Sequence, residues 1–304
     1  MPHVQTSDGI RLRYDAVGPG DGEPVLMIQG LGTDSRGWIL QRLHFSRRYR
    51  VITLDNRGVG RSDKPVSGYD LERMALDALD VLEAAGHASA HVMGASMGGI
   101  IAQIIAVRHP ERVRSLVLAC TGCHHQDWRR ELLTEWAELA RDRGMRAFAA
   151  ENLRWLIGPR SLRRFWPAFS ALTPVFISAP QHAFIAQVRA ILAMDDRMRL
   201  ELPAVTAPTL VIVGSQDILT PQADAEELAE LIPGAELAIV RGGAHGFMIE
   251  ASGAFNRAVG EFLERVVLEQ RGADAVRSSS CSGAAPPDPV ARRRGGARAP
   301  GLAS

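Results

Sequence analysis

Lysine occurs once in this chain of 304 residues, at Lys64, although lysine and arginine together number 35. Arginine therefore carries the positive charge, a bias of coding composition with no functional content. The cations are matched by 34 acidic residues, leaving a formal net charge of +1. Neither a basic groove for nucleic acid nor a surface for an acidic partner is expected from such a balance. The three cysteines are too few for a disulfide framework in a chain of this size, which points to a reducing compartment. No apolar run approaches the ~20 residues that cross a bilayer. The opening "MPHVQTSDGIRLRYDAVG" lacks the basic and then long apolar regions of a secretory signal. The expectation is a cytoplasmic protein with no membrane or nucleic-acid partner; composition leaves the oligomeric state open.

The apolar content of 46% suits a buried core in one large α/β domain. "VQTSDGIRLRYDAVG" alternates polar and apolar residues around a Ser-Asp-Gly turn, as a half-exposed antiparallel hairpin does. Next come the short β-rich runs "PVLMIQG", "RVITLD", "AHVMG", "SLVLAC", "TLVIVG" and "AELAIV". Most precede helical periodicity such as "LERMALDALDVLEAAG" or "QADAEELAELI". Strands alternating with helices predict a mostly parallel sheet with helices on both faces.

Residues 121–208 break this rhythm with helix-like stretches and no convincing strand. Trp128, Trp136, Trp155 and Trp166 fall there with Phe148, Phe165, Phe169, Phe176 and Phe184. This interval is expected to be an inserted helical cap, on a core domain of residues 1–120 and 209–270. So many large apolar side chains must pack against the core or line a pocket. From residue 271 to 304 the chain is rich in Ser, Gly, Pro, Ala and Arg and cannot build a core, so a disordered tail is expected.

The stretch "HVMGASMGGII" holds the chemistry. Gly94-Ala95-Ser96-Met97-Gly98 fits G-x-S-x-G, with a strand entering and an apolar helix leaving. Such a turn strains its central residue and presents that side chain, which requires small residues two positions before and after. The helix directs its free N–H groups at the same point and favours developing negative charge there. A serine hydroxyl needs a base, and His245, in "VRGGAHGFMIE" after the last predicted strand, is the candidate. Asp217, in "TLVIVGSQDILTP", follows the preceding strand and is the candidate carboxylate that orients the imidazole. The order Ser96, Asp217, His245, each after the end of a different strand, is unexpected of a small turn residue, a surface aspartate and a solvated loop histidine. The N–H groups of Met97 and of Leu31, in the loop after "PVLMI", are the candidate oxyanion hole. Gln29, Trp128 and Trp155 are candidate substrate contacts.

"QGLG", "DNRGVGRSDKP", "GASMGG", "GSQD" and "GGAHGF", in this order and spacing, resemble the α/β-hydrolase fold superfamily over residues 4–268. The chain is most similar to its bacterial carboxylesterases and enol-lactonases, with carbon–carbon bond hydrolases and cofactor-free peroxidases as related capped enzymes. The resemblance implies a serine hydrolase acting on a carboxylic ester or lactone through an acyl-enzyme, without metal or organic cofactor. Carbon–carbon bond hydrolysis and peracid formation are the alternatives within the fold, and a non-catalytic small-molecule binding protein is the alternative outside it. Gln29 stands where many relatives have His. Ser96 stands where dehalogenases and epoxide hydrolases carry Asp, which disfavours both of those activities. Asp55 and Arg57 read as scaffold.

"ACTGCHHQDW" matches the C-x-x-C-H haem-attachment pattern at Cys120 to His124. Haem attachment would need export, and a zinc site would need ligands that no second cluster in the sequence supplies. The two cysteines therefore read as small buried residues where the core strand meets the cap, and His124 and His125 are left as candidates to face the pocket.

Overall fold

The computed structural model describes residues 2–163 and 177–281, the last nine of these by backbone alone. The chain divides into two compact units, Met1–Val266 and Val267–Ser304, and the sheet and the cavity belong to the first. Eight strands form one sheet in the order β1-β2-β4-β3-β5-β6-β7-β8. The hairpin β1 (His3–Gln5) and β2 (Arg11–Val17) is antiparallel, as is β2 against β4 (Arg50–Leu54); the other pairings are parallel. The parallel strands are β3 (Pro24–Ile28), β5 (Ala90–Ala95), β6 (Val113–Ala119), β7 (Thr209–Gly214) and β8 (Glu236–Val240), together with β4.

β3, β5 and β7 are buried along their whole lengths, as expected of strands covered on both faces. Beside them the helix α3 (Met97–Arg108) is apolar on every side and buried from Met97 to Ala106. It packs on β3, β5 and β6. The helix α2 (Leu71–Ala84), which follows the short α1 (Ile39–Phe45), is amphipathic instead. Its first turn is capped by the Asp70 carboxylate, which accepts the N–H of Arg73 at 2.7 Å, satisfying a donor that has no partner inside the helix.

Between β6 and β7 the described residues form helices and no strand. The longest runs from Asp127 to Leu156 (α4) and is broken at Gly144, whose φ of 79° no right-handed helix contains. The helix α5 (Gln181–Leu192) packs along α4. Phe165, Trp166, Phe169 and Phe176 lie outside the described residues. The final helix runs from Ser252 to Cys281, past the boundary expected at Gln270; the rest of the expected tail lies outside the described residues. Among the described residues no helix is long and apolar enough to cross a membrane.

Candidate active site

β5 delivers the chain to Ser96 and α3 takes it away. Ser96 has φ 54° and ψ −120°, a left-handed conformation that L residues rarely adopt and that clusters at functional positions. Its backbone is held on both sides by the end of β6. Ser96 N donates to the Ala119 carbonyl at 2.9 Å, and Thr121 Oγ1 donates to the Ser96 carbonyl at 2.9 Å. The flanking glycines are required by contact: a Cβ on Gly94 would run into the Gly98 carbonyl, and one on Gly98 into the Ile28 carbonyl of β3.

The loop after β3 crosses directly over the serine. A Cβ on Gly30 would sit 3.1 Å from the Ser96 Cβ, so the backbone here approaches as only glycine comfortably allows. Leu31 follows immediately. Among the described residues no oxygen accepts a hydrogen bond from the N–H of Leu31 or of Met97. Gln29 is buried at the cavity wall, but its side chain serves its own loop: Oε1 accepts the N–H of Gly30 at 3.0 Å, while its carbonyl accepts Asn56 Nδ2 at 3.0 Å.

Asp217 follows β7 and His245 follows β8, and both are almost fully buried. His245 Nδ1 lies 2.9 Å from Asp217 Oδ2. The other oxygen, Oδ1, accepts the backbone N–H groups of Leu219 and Thr220, each at 2.9 Å. Thr220 Oγ1 donates to Oδ2 at 2.8 Å and stands 3.2 Å from His245 Nδ1. The His245 loop is buttressed by Glu250, whose carboxylate accepts Gly158 N at 3.0 Å and Ala244 N at 3.3 Å. Gly246 N donates to the Leu156 carbonyl at 2.6 Å, which ties this loop to the last turn of α4.

Ser96 and His245 open into one cavity of about 170 Å³. The structure thus brings Ser96, His245, Gln29, Leu31 and Met97 to one wall, with Asp217 behind the imidazole. The other walls are mainly apolar, with Leu133, Trp136, Phe148, Leu153 and Phe184 supplied by α4 and α5. Trp136 meets Phe148 edge-on with centroids 5.4 Å apart, and Phe148 meets Phe184 at 4.5 Å.

The two tryptophans expected to touch substrate do not reach this wall. Trp128 sits in the first turn of α4, where its Nε1 donates to Gln126 Oε1 at 2.9 Å and the Arg129 guanidinium lies over its ring. Trp155 packs against the hydrophobic core. The break at Gly144 resets the helical phase, so the second half of α4 turns Phe148, Ala149, Asn152, Leu153 and Leu156 toward the cavity.

His125 lines the cavity, and burial pushes its pKa down to about 3, so the ring is neutral. His124 turns away and pairs with Glu227 at 3.0 Å. Cys123 Sγ, a His124 nitrogen and a Glu227 oxygen lie within 4.8 Å of one another, a donor set that could hold a metal ion. Glu227 is already engaged by Arg199 at 2.6 Å, and burial pushes the Cys123 thiol up to about 12, so both groups must change partner or protonation for that use. Arg57 lies outside the cavity wall. It is fully buried, with Nε 2.6 Å from Asp77 Oδ2, Nη2 2.8 Å from Asp77 Oδ1 and Nη1 3.0 Å from Asp8. The Arg57 hydrogen bond holds the Asp8 carboxyl down at about 2.

Comparison with known proteins agrees with this architecture. Residues 23–160 match the α/β hydrolase fold family, and residues 193–275 match a family described as TAP-like protein. A Caulobacter vibrioides protein provisionally assigned as the carbamate hydrolase RutD is 31% identical over 265 residues, covering 86% of this chain and 97% of that protein. The 3-oxoadipate enol-lactonase 2 of Acinetobacter baylyi is 28% identical, covering 86% and 96%. Among solved structures, the enol-lactonase of Burkholderia xenovorans superimposes with a TM-score of 0.81 at 29% identity, covering 86% of this chain and all of that one.

Proposed function

The chain belongs to the α/β-hydrolase fold family and is a hydrolase, and on that premise we propose that it cleaves carboxylic esters or lactones with Ser96 as nucleophile. The observation that carries this reading is the shared cavity: the left-handed Ser96 opens into the same space as His245, whose Nδ1 is held 2.9 Å from Asp217 Oδ2.

Ser96 Oγ attacks the acyl carbon as His245 Nε2 takes its proton. The carbonyl π-electrons move to oxygen, and that oxyanion is received by the N–H groups of Leu31 and Met97, donors with no other acceptor among the described residues. Donors fixed before the reaction need no reorganisation as charge develops. Asp217 stabilises the imidazolium, which then protonates the departing alkoxide as the ester bond breaks. In a lactone the leaving hydroxyl stays on the acyl chain. Water, deprotonated by His245, attacks the acyl-enzyme, and Ser96 leaves with the returned proton. The aromatic and aliphatic walls supplied by α4 and α5 suit an apolar or ring-bearing acyl group of small to medium size.

The enol-lactonase relatives favour a lactone or enol ester as the natural bond. The relative assigned as a carbamate hydrolase favours a second reading, in which the attacked carbonyl is flanked by nitrogen. Graded nitrophenyl esters, an enol lactone and a carbamate, assayed with the wild type and with Ser96→Ala, test both. Serine-dependent turnover of esters or lactones supports the first reading, and turnover of the carbamate alone supports the second. Undiminished activity in Ser96→Ala overturns both.

A further inference from the structure

Asp217 and His245 share a third partner. Thr220 Oγ1 is 2.8 Å from Asp217 Oδ2 and 3.2 Å from His245 Nδ1, while Nδ1 is 2.9 Å from Oδ2, so the three atoms close a triangle. We propose that Thr220 is a positioning residue that locks the tautomer of His245 and tempers the charge Asp217 presents to it. The inference rests on the serine-hydrolase reading above, in which His245 Nε2 must be the free base.

The proton count decides the tautomer. The hydroxyl has one proton and the carboxylate has none, so the short contact between Oγ1 and Oδ2 requires the hydroxyl to donate to Asp217. Oγ1 then offers only lone pairs to the imidazole. Nδ1 therefore faces two acceptors and must carry the ring proton, which leaves the lone pair on Nε2, the atom a general base uses. A hydroxyl turned the other way would set the lone pairs of Oγ1 against Oδ2 at 2.8 Å. The pair the hydroxyl serves is largely withdrawn from solvent: the Asp217 side chain has no exposure and that of His245 is 7% exposed.

The charge argument follows from the same oxygen. Oδ1 is engaged by two backbone N–H groups, so Oδ2 is the oxygen left to His245, and Thr220 draws on it as well. The surrounding charged groups are committed elsewhere. Glu250 is engaged by the N–H groups of Gly158 and Ala244, and Asp224 is paired with Arg129. The Cys120 thiol is kept neutral by burial, which pushes it well above its usual value. Removing the Thr220 hydroxyl leaves Oδ2 to face the imidazole with its charge undivided.

The test is Thr220→Val, with Thr220→Ala as a second variant that removes the hydroxyl without adding volume, and Thr220→Ser as the rescue. The His245 ring is titrated by NMR, and kcat and KM for a nitrophenyl ester are followed against pH. In Thr220→Val the ring titration and the acid limb of kcat/KM should both move up by about half a pH unit or more. The kcat should fall roughly tenfold while KM stays within about twofold. Thr220→Ser should return each quantity to within about threefold of wild type. A ring titration that does not move in folded Thr220→Val or Thr220→Ala protein overturns the proposal, as does a serine variant that behaves like valine. The ring titration needs no turnover. A wild type that hydrolyses no ester therefore counts against the serine-hydrolase reading, while the NMR result still decides the role of Thr220.

Discussion

Gly30 stands over Ser96: a Cβ added to Gly30 would lie 3.1 Å from the Ser96 Cβ and 3.6 Å from its Oγ. The neighbour would have to yield by a few tenths of an ångström, beside the side chain proposed as the nucleophile. Gly30→Ala should fold with a near-native melting temperature and lose about 10- to 100-fold in kcat/KM, as small misplacements of reacting groups do. Side-by-side thermal melts and ester kinetics check this, and unchanged kinetics would show that the loop after β3 is not part of the site.

Ser96→Ala and His245→Ala should each lower turnover by roughly 10⁴-fold, with the double variant little worse than either, because the groups act as one unit. Losses that multiply would mean that the two side chains work independently.

Phe184 is 1% exposed and packs against Phe148 in the cavity wall, with ring centroids 4.5 Å apart and the planes tilted by 50°. Phe184→Ala should cost about 3–5 kcal/mol in a denaturant titration, as large-to-small changes at buried aromatics do. The surviving folded enzyme should accept longer acyl chains than the wild type. An unaltered chain-length profile would place the acyl group elsewhere in the cavity.

His91 is buried in β5 with Nδ1 2.8 Å from Ser115 Oγ, and burial pushes its pKa down from 6.5 to about 4. The unfolded chain therefore binds this proton first as pH falls. The contribution is full above about 6.5 and is lost by about pH 4, on the order of 3 kcal/mol at about 1.4 kcal/mol per pKa unit. The buried His125 acts in the same direction. Denaturant midpoints at pH 7 and pH 4.5 should differ less in His91→Gln than in the wild type; an equal difference would assign the acid lability to other groups.

The sheet was legible in the sequence because its strands are short β-rich runs, most of them followed by helical periodicity, and covered parallel strands leave little room for polar residues. Ser96, Asp217 and His245 stood out because each follows a strand end. Thr220 and Glu250 did not. Each works through a hydrogen bond to a loop backbone or a neighbouring side chain, and the only trace of the first is the three-residue spacing from Asp217. The aromatic wall was legible as composition but not as positions. Nothing in the residue pattern told that Trp136 would line the cavity while Trp128 and Trp155 would not. Glu227 is remote in sequence from Cys123 and His124, and only the packing of its helix brings its carboxylate to them.

The 2.6 Å bond from Gly246 N to the Leu156 carbonyl makes the loop beside the imidazole and the last turn of α4 one mechanical linkage. Glu250 adds a second tie, since its carboxylate accepts one N–H from Gly158, just past the helix, and one from Ala244, within the loop. The stretch that carries His245 is therefore anchored to the inserted helical segment as well as to the strand that precedes it, and two parts of the fold far apart in sequence fix the place of one ring.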